Sequence, residues 1–223
     1  MSEETLAVTG VSGSTVEIKI PAPVQPNGVA VNYVTSQANK PLTYANNVYA
    51  WKTTSNAVPW GTTPDGTVAV ESDSPVSTQL LKFSFAVQQD YVVGYGVAAD
   101  PNTVCSTVYI PGSSYDDPTT YVTTDTTISI NSFGNNYVQV KLAGLQDYSP
   151  SSNKNWVGVW PLDHVPYSGD PIAKADVSLG SSAGLVYIPG VKVTVGSVYA
   201  VGYFMAAGTA GRTALGASAV FRT

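Results

Sequence analysis

The sequence has little charge, and that scarcity excludes disorder. Asp, Glu, Lys and Arg make up 11% of the 223 residues, whereas hydrophobic residues make up 43%. Intrinsically disordered chains have the opposite profile, so we expect a folded protein whose surface is polar mainly through Ser, Thr, Asn and Gln. A chain of this length suits one or two domains.

Basic residues are few and scattered. Ten Lys and Arg stand against fifteen Asp and Glu, which gives a net charge of −5. No basic cluster could follow a phosphate backbone, and no apolar run approaches the ~20 residues that span a bilayer, so we predict no nucleic-acid partner and no membrane insertion. The opening residues MSEETLAVTG lack a signal-peptide pattern. This predicts a cytoplasmic protein, with later release left open.

Catalytic and metal-ligating residues are also scarce. Cys105 cannot form an intramolecular disulfide alone, and its strand-like context VCSTVYI predicts a buried side chain. His164 is the one histidine and stands beside Asp163 in a polar loop, where a solvated role is expected. A catalytic triad needs a histidine held between two partners, and zinc needs more His and Cys than this.

Carboxylates leave two lesser alternatives open. Asp116 and Asp117, or Asp163 and Asp170, could contribute to a calcium site, although no EF-hand loop is present. The scattered acidic residues also leave open a pair that hydrolyses glycosides. We predict that the protein is not an enzyme and that it needs neither a cofactor nor a metal.

The abundant feature is internal similarity. The stretch YVVGYGVAA (91–99) recurs as YAVGYFMAA (199–207), 108 positions later, with six of nine letters identical. NNVYAW (46–51) likewise matches NWVGVW (155–160), and other matches keep the same order. We predict a duplication of about 110 residues, with a first repeat at 1–113 and a second at 114–223. The boundary lies near PGSSYDDPTT, which is rich in turn-forming residues.

Each repeat contains seven short runs of alternating, β-branched residues separated by polar turns. This pattern predicts an all-β fold of two tandem immunoglobulin-like β-sandwiches. Trp51 and Trp160, on the third strand of each repeat, are expected to be buried anchors. The glycine of the shared VGY step is expected to mark a bulge or a close backbone approach.

The runs NWVGVW, YAVGYFMAA and GASAVF resemble the pattern of SKICH-type immunoglobulin-like domains. The second repeat matches better than the first, and Asn155 stands where that pattern favours Asp. The resemblance implies the sandwich fold and a non-catalytic role in localisation or partner binding. In composition, the chain is also similar to cytoplasmic lectins of fungi and bacteria.

Loop aromatics and amides are the candidate ligand-binding residues. Strand connections that share one end of such a sandwich would gather them. Sugars pack their C–H groups on aromatic faces, and their hydroxyls form hydrogen bonds with amides, carboxylates and guanidinium groups. The candidates are Tyr44, Asn46, Asp100 and Asn102 in the first repeat, Asp147, Tyr148, Asn155, Trp156 and Arg212 in the second, and Trp60 and Tyr167 after the third strands.

These residues predict a non-enzymatic, lectin-like protein that binds a glycan or glycoprotein, with two repeats supplying avidity. The alternative is a structural or protein-interaction module that docks a partner or forms a homo-oligomer. Exposure of the loop aromatics beside free Asn or Asp groups would favour the lectin. Burial of these aromatics together with an exposed apolar strand edge would favour the docking module.

Overall fold

A computed structural model describes residues 9–11, 13, 15–207 and 212–223, and strands dominate it. The all-β prediction is confirmed. The strands are β1 (Thr9–Val11), β2 (Glu17–Lys19), β3 (Val29–Val34), β4 (Asn47–Thr53), β5 (Gly66–Ala69), β6 (Val76–Leu81), β7 (Asp90–Gly96), β8 (Val104–Ile110), β9 (Val122–Asp125), β10 (Thr127–Gly134), β11 (Tyr137–Ala143), β12 (Trp156–Trp160), β13 (Ala173–Asp176), β14 (Ala183–Pro189), β15 (Val198–Phe204) and β16 (Leu215–Arg222). Among the described residues, 3-10 helices span Pro101–Thr103, Gly112–Ser114 and Pro118–Thr120.

Within the described residues the strands form four antiparallel sheets, and each half of the chain supplies most of two of them. We call the parts before and after the predicted 113/114 boundary the first half and the second half. The first half supplies a three-stranded sheet, β2-β3-β6, and all strands but β9 of a five-stranded sheet, β5-β4-β7-β8-β9. The second half supplies β10-β11-β14 and all strands but β1 of a second five-stranded sheet, β1-β16-β15-β12-β13. The sheets are those of β-sandwiches, with alternate residues turned towards a core.

Burial follows the sheet type. Along β3, Val29, Val31 and Tyr33 are buried while alternate residues are more exposed, as expected for a sheet with one wet face. Almost every residue of β7 is buried instead. A strand buried on both sides must be covered on both faces, so the five-stranded sheets have a second covering layer on their outer faces.

That outer layer contains the repeated tryptophans of β4 and β12, the third strands of the predicted repeats. Trp51 is buried with Tyr49, Val58 and Val92 in a small cluster separate from the main core. Trp160 is buried in an equivalent cluster with Trp156, Val165 and Phe204. Their predicted burial is confirmed, but they lie under the loops that follow β4 and β12 rather than between the sheets.

The glycines of the VGY step make room for this layer. A Cβ on Gly94 would lie 2.8 Å from a methyl of Val104 and 3.3 Å from the Trp51 ring. A Cβ on Gly202 would lie 2.8 Å from the Phe204 ring. The expected close approach is therefore present, because side chains pack directly onto the backbone of β7 and β15.

Strand pairing crosses the predicted boundary in both directions. β9 belongs to the second half by sequence but pairs with β8, Ser106 lying opposite Asp125. β1 belongs to the first half but pairs with β16, where Gly10 lies opposite Phe221. Each half therefore completes the five-stranded sheet of the other. The division into repeats 1–113 and 114–223, and the duplication behind it, stay predictions.

The two halves also share one hydrophobic core. A single cluster contains Val31 and Tyr95 from the first half together with Tyr203 and Phe221 from the second. Cys105 is buried within it, as predicted, and burial raises the pKa of its thiol. A continuous core and reciprocal strand pairing together resist separation of the halves.

Candidate ligand-binding cleft

The eleven predicted ligand-binding residues fall into different environments. Two amides are fully buried inside the halves, several aromatics hold the halves together, and a few residues line an open cleft. The structure therefore brings some of these residues together for structural reasons and others around a space that could hold a ligand.

The buried amides are Asn46 and Asn155, which have no exposed surface. Asn46 Nδ2 donates to the carbonyl of Val97 at 2.8 Å, and its Oδ1 accepts from the hydroxyl of Tyr95 at 3.0 Å. Asn155 Nδ2 donates to the hydroxyls of Tyr148 and Tyr203. Each amide thus satisfies buried polar groups within its own surroundings, which explains why the same residue stands at both positions.

Contacts between the halves occupy Trp60, Tyr148 and Asn102. The Trp60 and Tyr148 rings lie with centroids 4.7 Å apart, and Trp60 Nε1 donates to the carbonyl of Gln146 at 2.8 Å. The Tyr148 hydroxyl donates to the carbonyl of Asn102 at 2.8 Å. Tyr148 is only 2% exposed, and burial raises the pKa of its phenol.

A second aromatic pair also joins the halves. Tyr44 and Tyr167 stack with ring centroids 5.3 Å apart and an interplanar angle of 9°. Both are partly buried, and burial raises the pKa of Tyr167. Asp100 and Asp147 are exposed, and the Asp100 carboxylate caps the 3-10 helix Pro101–Thr103 by accepting from the backbone of Asn102.

Trp156 and Arg212 line one open cleft in the second half, and Asn155 borders it without any exposed surface. Its volume is about 770 Å³, which is ample for a small ligand. It lies beside the edge strand β13, on the outer face of the five-stranded sheet. The lining residues are Ser151, Lys154, Asn155, Trp156, Asp170, Pro171, Ile172, Ala173, Lys174, Asp176, Val177, Ser178, Ala207 and Arg212.

The cleft lies beside a rearrangement of bulky side chains between the halves. In the first half Tyr49 lies over Gly96, since a Cβ there would come 2.8 Å from its ring. In the second half Gly158 stands at the position of Tyr49 and Phe204 at that of Gly96, and Phe204 stacks on Trp156 at 4.1 Å. Trp156 in turn stands where the first half has Asn47, so the rings of this outer face are Trp156 on β12 and Phe204 on β15.

Charged side chains of both signs surround the cleft. Arg212 pairs with the exposed Asp170 carboxylate. Lys174 and Asp176 are exposed on β13, opposite Gly158 and Trp156 respectively. Trp156 is 6% exposed and its Nε1 donates to the carbonyl of Ala206, so it forms a fixed wall.

Sequence reasoning missed Lys154, Lys174 and Asp176 as cleft residues. The alternation of AKAD marks Lys174 and Asp176 as outward-facing, but the sequence contains no sign that a hollow lies beside them. Lys154 has a φ of 54°, which places it in the left-handed region at the cleft rim. Only the folded structure shows that the charges of Lys154, Lys174 and Asp176 face one cleft.

The lone histidine lies in an exposed pair with a neighbouring carboxylate. His164 Nδ1 lies 2.8 Å from the Asp163 carboxylate, and both side chains are largely exposed. The described residues include no cluster of three or more His, Cys, Asp or Glu that could hold a metal ion. No helix among them is long and apolar enough to cross a membrane.

Comparisons with known proteins give little. No family model matches the chain, and no curated protein matches it. One similar solved structure is described as a biofilm associated protein, BSP domain. The two are 12% identical with a TM-score of 0.24, and the match covers 86% of this chain. This chain spans 26% of that protein's length.

Proposed function

We propose that the protein is a non-enzymatic carbohydrate-binding protein and that the second-half cleft holds the sugar. The observation that carries the proposal is the convergence of Trp156 and Arg212, both predicted from sequence, on a cleft of about 770 Å³. Lys154, Lys174 and Asp176 add donors and an acceptor around the same space. Hydroxyl groups need donors and acceptors together, and this cleft offers both.

The cleft also offers an apolar surface for the C–H faces of a sugar. Ile172 is 48% exposed and lines the cleft together with Pro171 and Ala173. Trp156 contributes little ring surface, because it is 6% exposed and one of its faces stacks on Phe204. Binding should therefore depend more on the polar groups than on aromatic stacking.

The test is a glycan array followed by titration calorimetry on the full chain. The variant Lys174→Ala/Asp176→Asn should lose binding, because it removes a donor and a carboxylate from the cleft. Loss of one well-placed polar contact lowers affinity by roughly tenfold. Lys192→Ala, exposed and outside the cleft, is the control. A wild-type protein that binds no glycan at high concentration would overturn the proposal.

A protein-interaction module is the second candidate, and the outer face of β2-β3-β6 favours it. Val34 and Val76 lie opposite each other and are 46% and 54% exposed. Leu80 is 49% exposed and borders a groove of about 480 Å³. Burial of Tyr148 and Trp156 also favours this candidate, because those loop aromatics are occupied internally. A concentration-dependent increase in mass by light scattering would support a homo-oligomer formed through this face.

The type of sandwich, its origin, the location of the protein and its partner are also proposals. We propose that the sandwiches are immunoglobulin-like and arose by duplication, in keeping with their resemblance to SKICH-type domains. We also retain the expectations of a cytoplasmic location, of a glycan or glycoprotein partner, and of binding without a cofactor or metal.

A further inference from the structure

We infer that a second carbohydrate-binding surface lies on the outer face of β10-β11-β14 and takes a neutral, extended polysaccharide. Its residues are Asn131, Gln139, Tyr137 and Tyr187, which were not among those predicted from sequence. The inference rests on the proposed carbohydrate-binding function and extends it to a surface outside the cleft.

Two tyrosines form the centre of this surface. Tyr137 on β11 and Tyr187 on β14 stack with ring centroids 5.2 Å apart and an interplanar angle of 25°. Tyr187 is 53% exposed, which is unusual for a ring already paired with another. Tyr137 also covers Gly134 on β10, where a Cβ would come 2.6 Å from its ring. The aromatic surface therefore extends across all three strands.

A fixed amide lies beside the rings. Gln139 lies directly opposite Tyr187 in the strand register. Its Oε1 accepts from Asn131 Nδ2 at 2.7 Å and from the Ser132 hydroxyl at 3.3 Å. These bonds hold the amide in place, and its Nε2 donates to no acceptor within the described residues. An oriented donor next to a stacked ring is suited to a sugar hydroxyl.

The charge of the face indicates a neutral ligand. Lys141 is the one charged side chain on these three strands, whereas the whole chain carries −5. An anionic polymer would be expected to meet more basic side chains than this one lysine. A flat, largely uncharged face with aromatic and amide groups suits the C–H faces and hydroxyls of a neutral polysaccharide.

The first half lacks this surface. From the registers Val29–Leu81 and Val138–Ile188, Gly28 and Leu80 stand where the second half has Tyr137 and Tyr187. Ala30 stands in place of Gln139. Both aromatic rings and the amide are thus particular to the second half, although the strands beneath them are equivalent. Leu80, 49% exposed, supplies a matched control position.

The experiment measures binding of the full chain to insoluble cellulose, chitin and β-1,3-glucan by depletion from solution. For whichever polymer is bound, Tyr187→Ala should lower affinity about 2- to 13-fold, the loss of one aromatic contact. Tyr187→Phe should retain binding, because the ring face remains. Leu80→Ala should bind as the wild type does.

Soluble oligosaccharides, titrated in parallel, separate this inference from the cleft proposal. Unchanged oligosaccharide binding by Tyr187→Ala, with weaker polymer binding, supports two distinct sites. Equal polymer binding by Tyr187→Ala and wild type overturns the second surface and leaves the cleft proposal standing. Oligosaccharide binding without any polymer binding has the same meaning. A wild type that binds neither overturns both.

Discussion

The first and second halves share a framework and differ both in buried side chains and at their surfaces. Val70 N donates to Asn46 O at 2.9 Å, and Val177 N donates to Asn155 O at 2.8 Å. Ala45 and Lys154, which immediately precede Asn46 and Asn155, have the same φ of 54°. Equivalent bonds and an equivalent uncommon backbone angle show that the loops before β4 and β12 fold alike.

The differences lie where a binding surface is proposed. A tyrosine and a glycine, Tyr49 and Gly96, correspond to a glycine and a phenylalanine, Gly158 and Phe204, and the cleft lies beside the second arrangement. Exposed Leu80 likewise corresponds to Tyr187. Shared residues account for the fold, whereas the unshared ones shape the surface.

The largest expected effect tests whether the two tryptophan-covered faces are equivalent. Trp51→Ala and Trp160→Ala should each lower the free energy of unfolding by about 3–5 kcal/mol, because each leaves a large cavity. Urea unfolding measures both. Neither indole Nε1 has a hydrogen-bond partner within the described residues, so Trp→Phe should cost less than Trp→Ala, because it leaves a smaller cavity and breaks no hydrogen bond. An alanine variant that costs under ~1 kcal/mol at either position would show that the two faces are not equivalent.

An intermediate effect tests an asymmetry at the equivalent positions Asn39 and Tyr148. Tyr148→Phe removes the hydroxyl that donates to Asn102 and accepts from Asn155, which leaves buried groups unsatisfied. We expect a loss of about 1–3 kcal/mol in the free energy of unfolding.

The matched control for Tyr148→Phe is Asn39→Ala. Asn39 donates to Asn46 within its own half, and Tyr95 still donates to Asn46 in its absence. Thermal unfolding should show a larger loss for Tyr148→Phe. A larger loss for Asn39→Ala would mean that the contact between the halves contributes little.

The smallest effect is a pH dependence of stability, tested at the two crossings where strands of the two halves pair, β8–β9 and β1–β16. Burial raises the pKa of Asp125, the Ser106 hydrogen bond opposes this rise, and the nearby Glu17 adds to it. The folded state therefore holds its proton more tightly than the unfolded state, and stability falls as pH rises from the ordinary Asp pKa through the raised one. Asp125→Asn should raise the Tm at pH 7, and the gain should vanish below the ordinary Asp pKa.

Calorimetry between pH 3 and 7 measures that difference, with Thr15→Val as the control. Thr15 bonds to Ser218 at the other crossing and has no ionisable group there, so its effect should not change with pH. A pH-independent gain for Asp125→Asn would contradict the burial explanation.

Particular residues show how much was predictable from the sequence. Alternation predicted β3 and β11, and repeated tryptophans predicted buried third-strand anchors. Asn46 and Asn155 were predicted to bind a ligand because loop amides often do so. The sequence alone cannot distinguish such an amide from one that is buried and bonded internally. Burial separates the two roles, and burial depends on which loops meet.

By itself, the sequence determined the strand-forming segments, the similarity of the halves and the buried anchors, because these depend on local periodicity and side-chain volume. The tertiary structure decided that β1 and β9 exchange sheets and that Trp60, Tyr148, Tyr44 and Tyr167 join the halves. It also decided that Lys174 and Tyr187 face open surfaces. Contacts between distant segments depend on how whole sheets pack, and no local pattern encodes that packing.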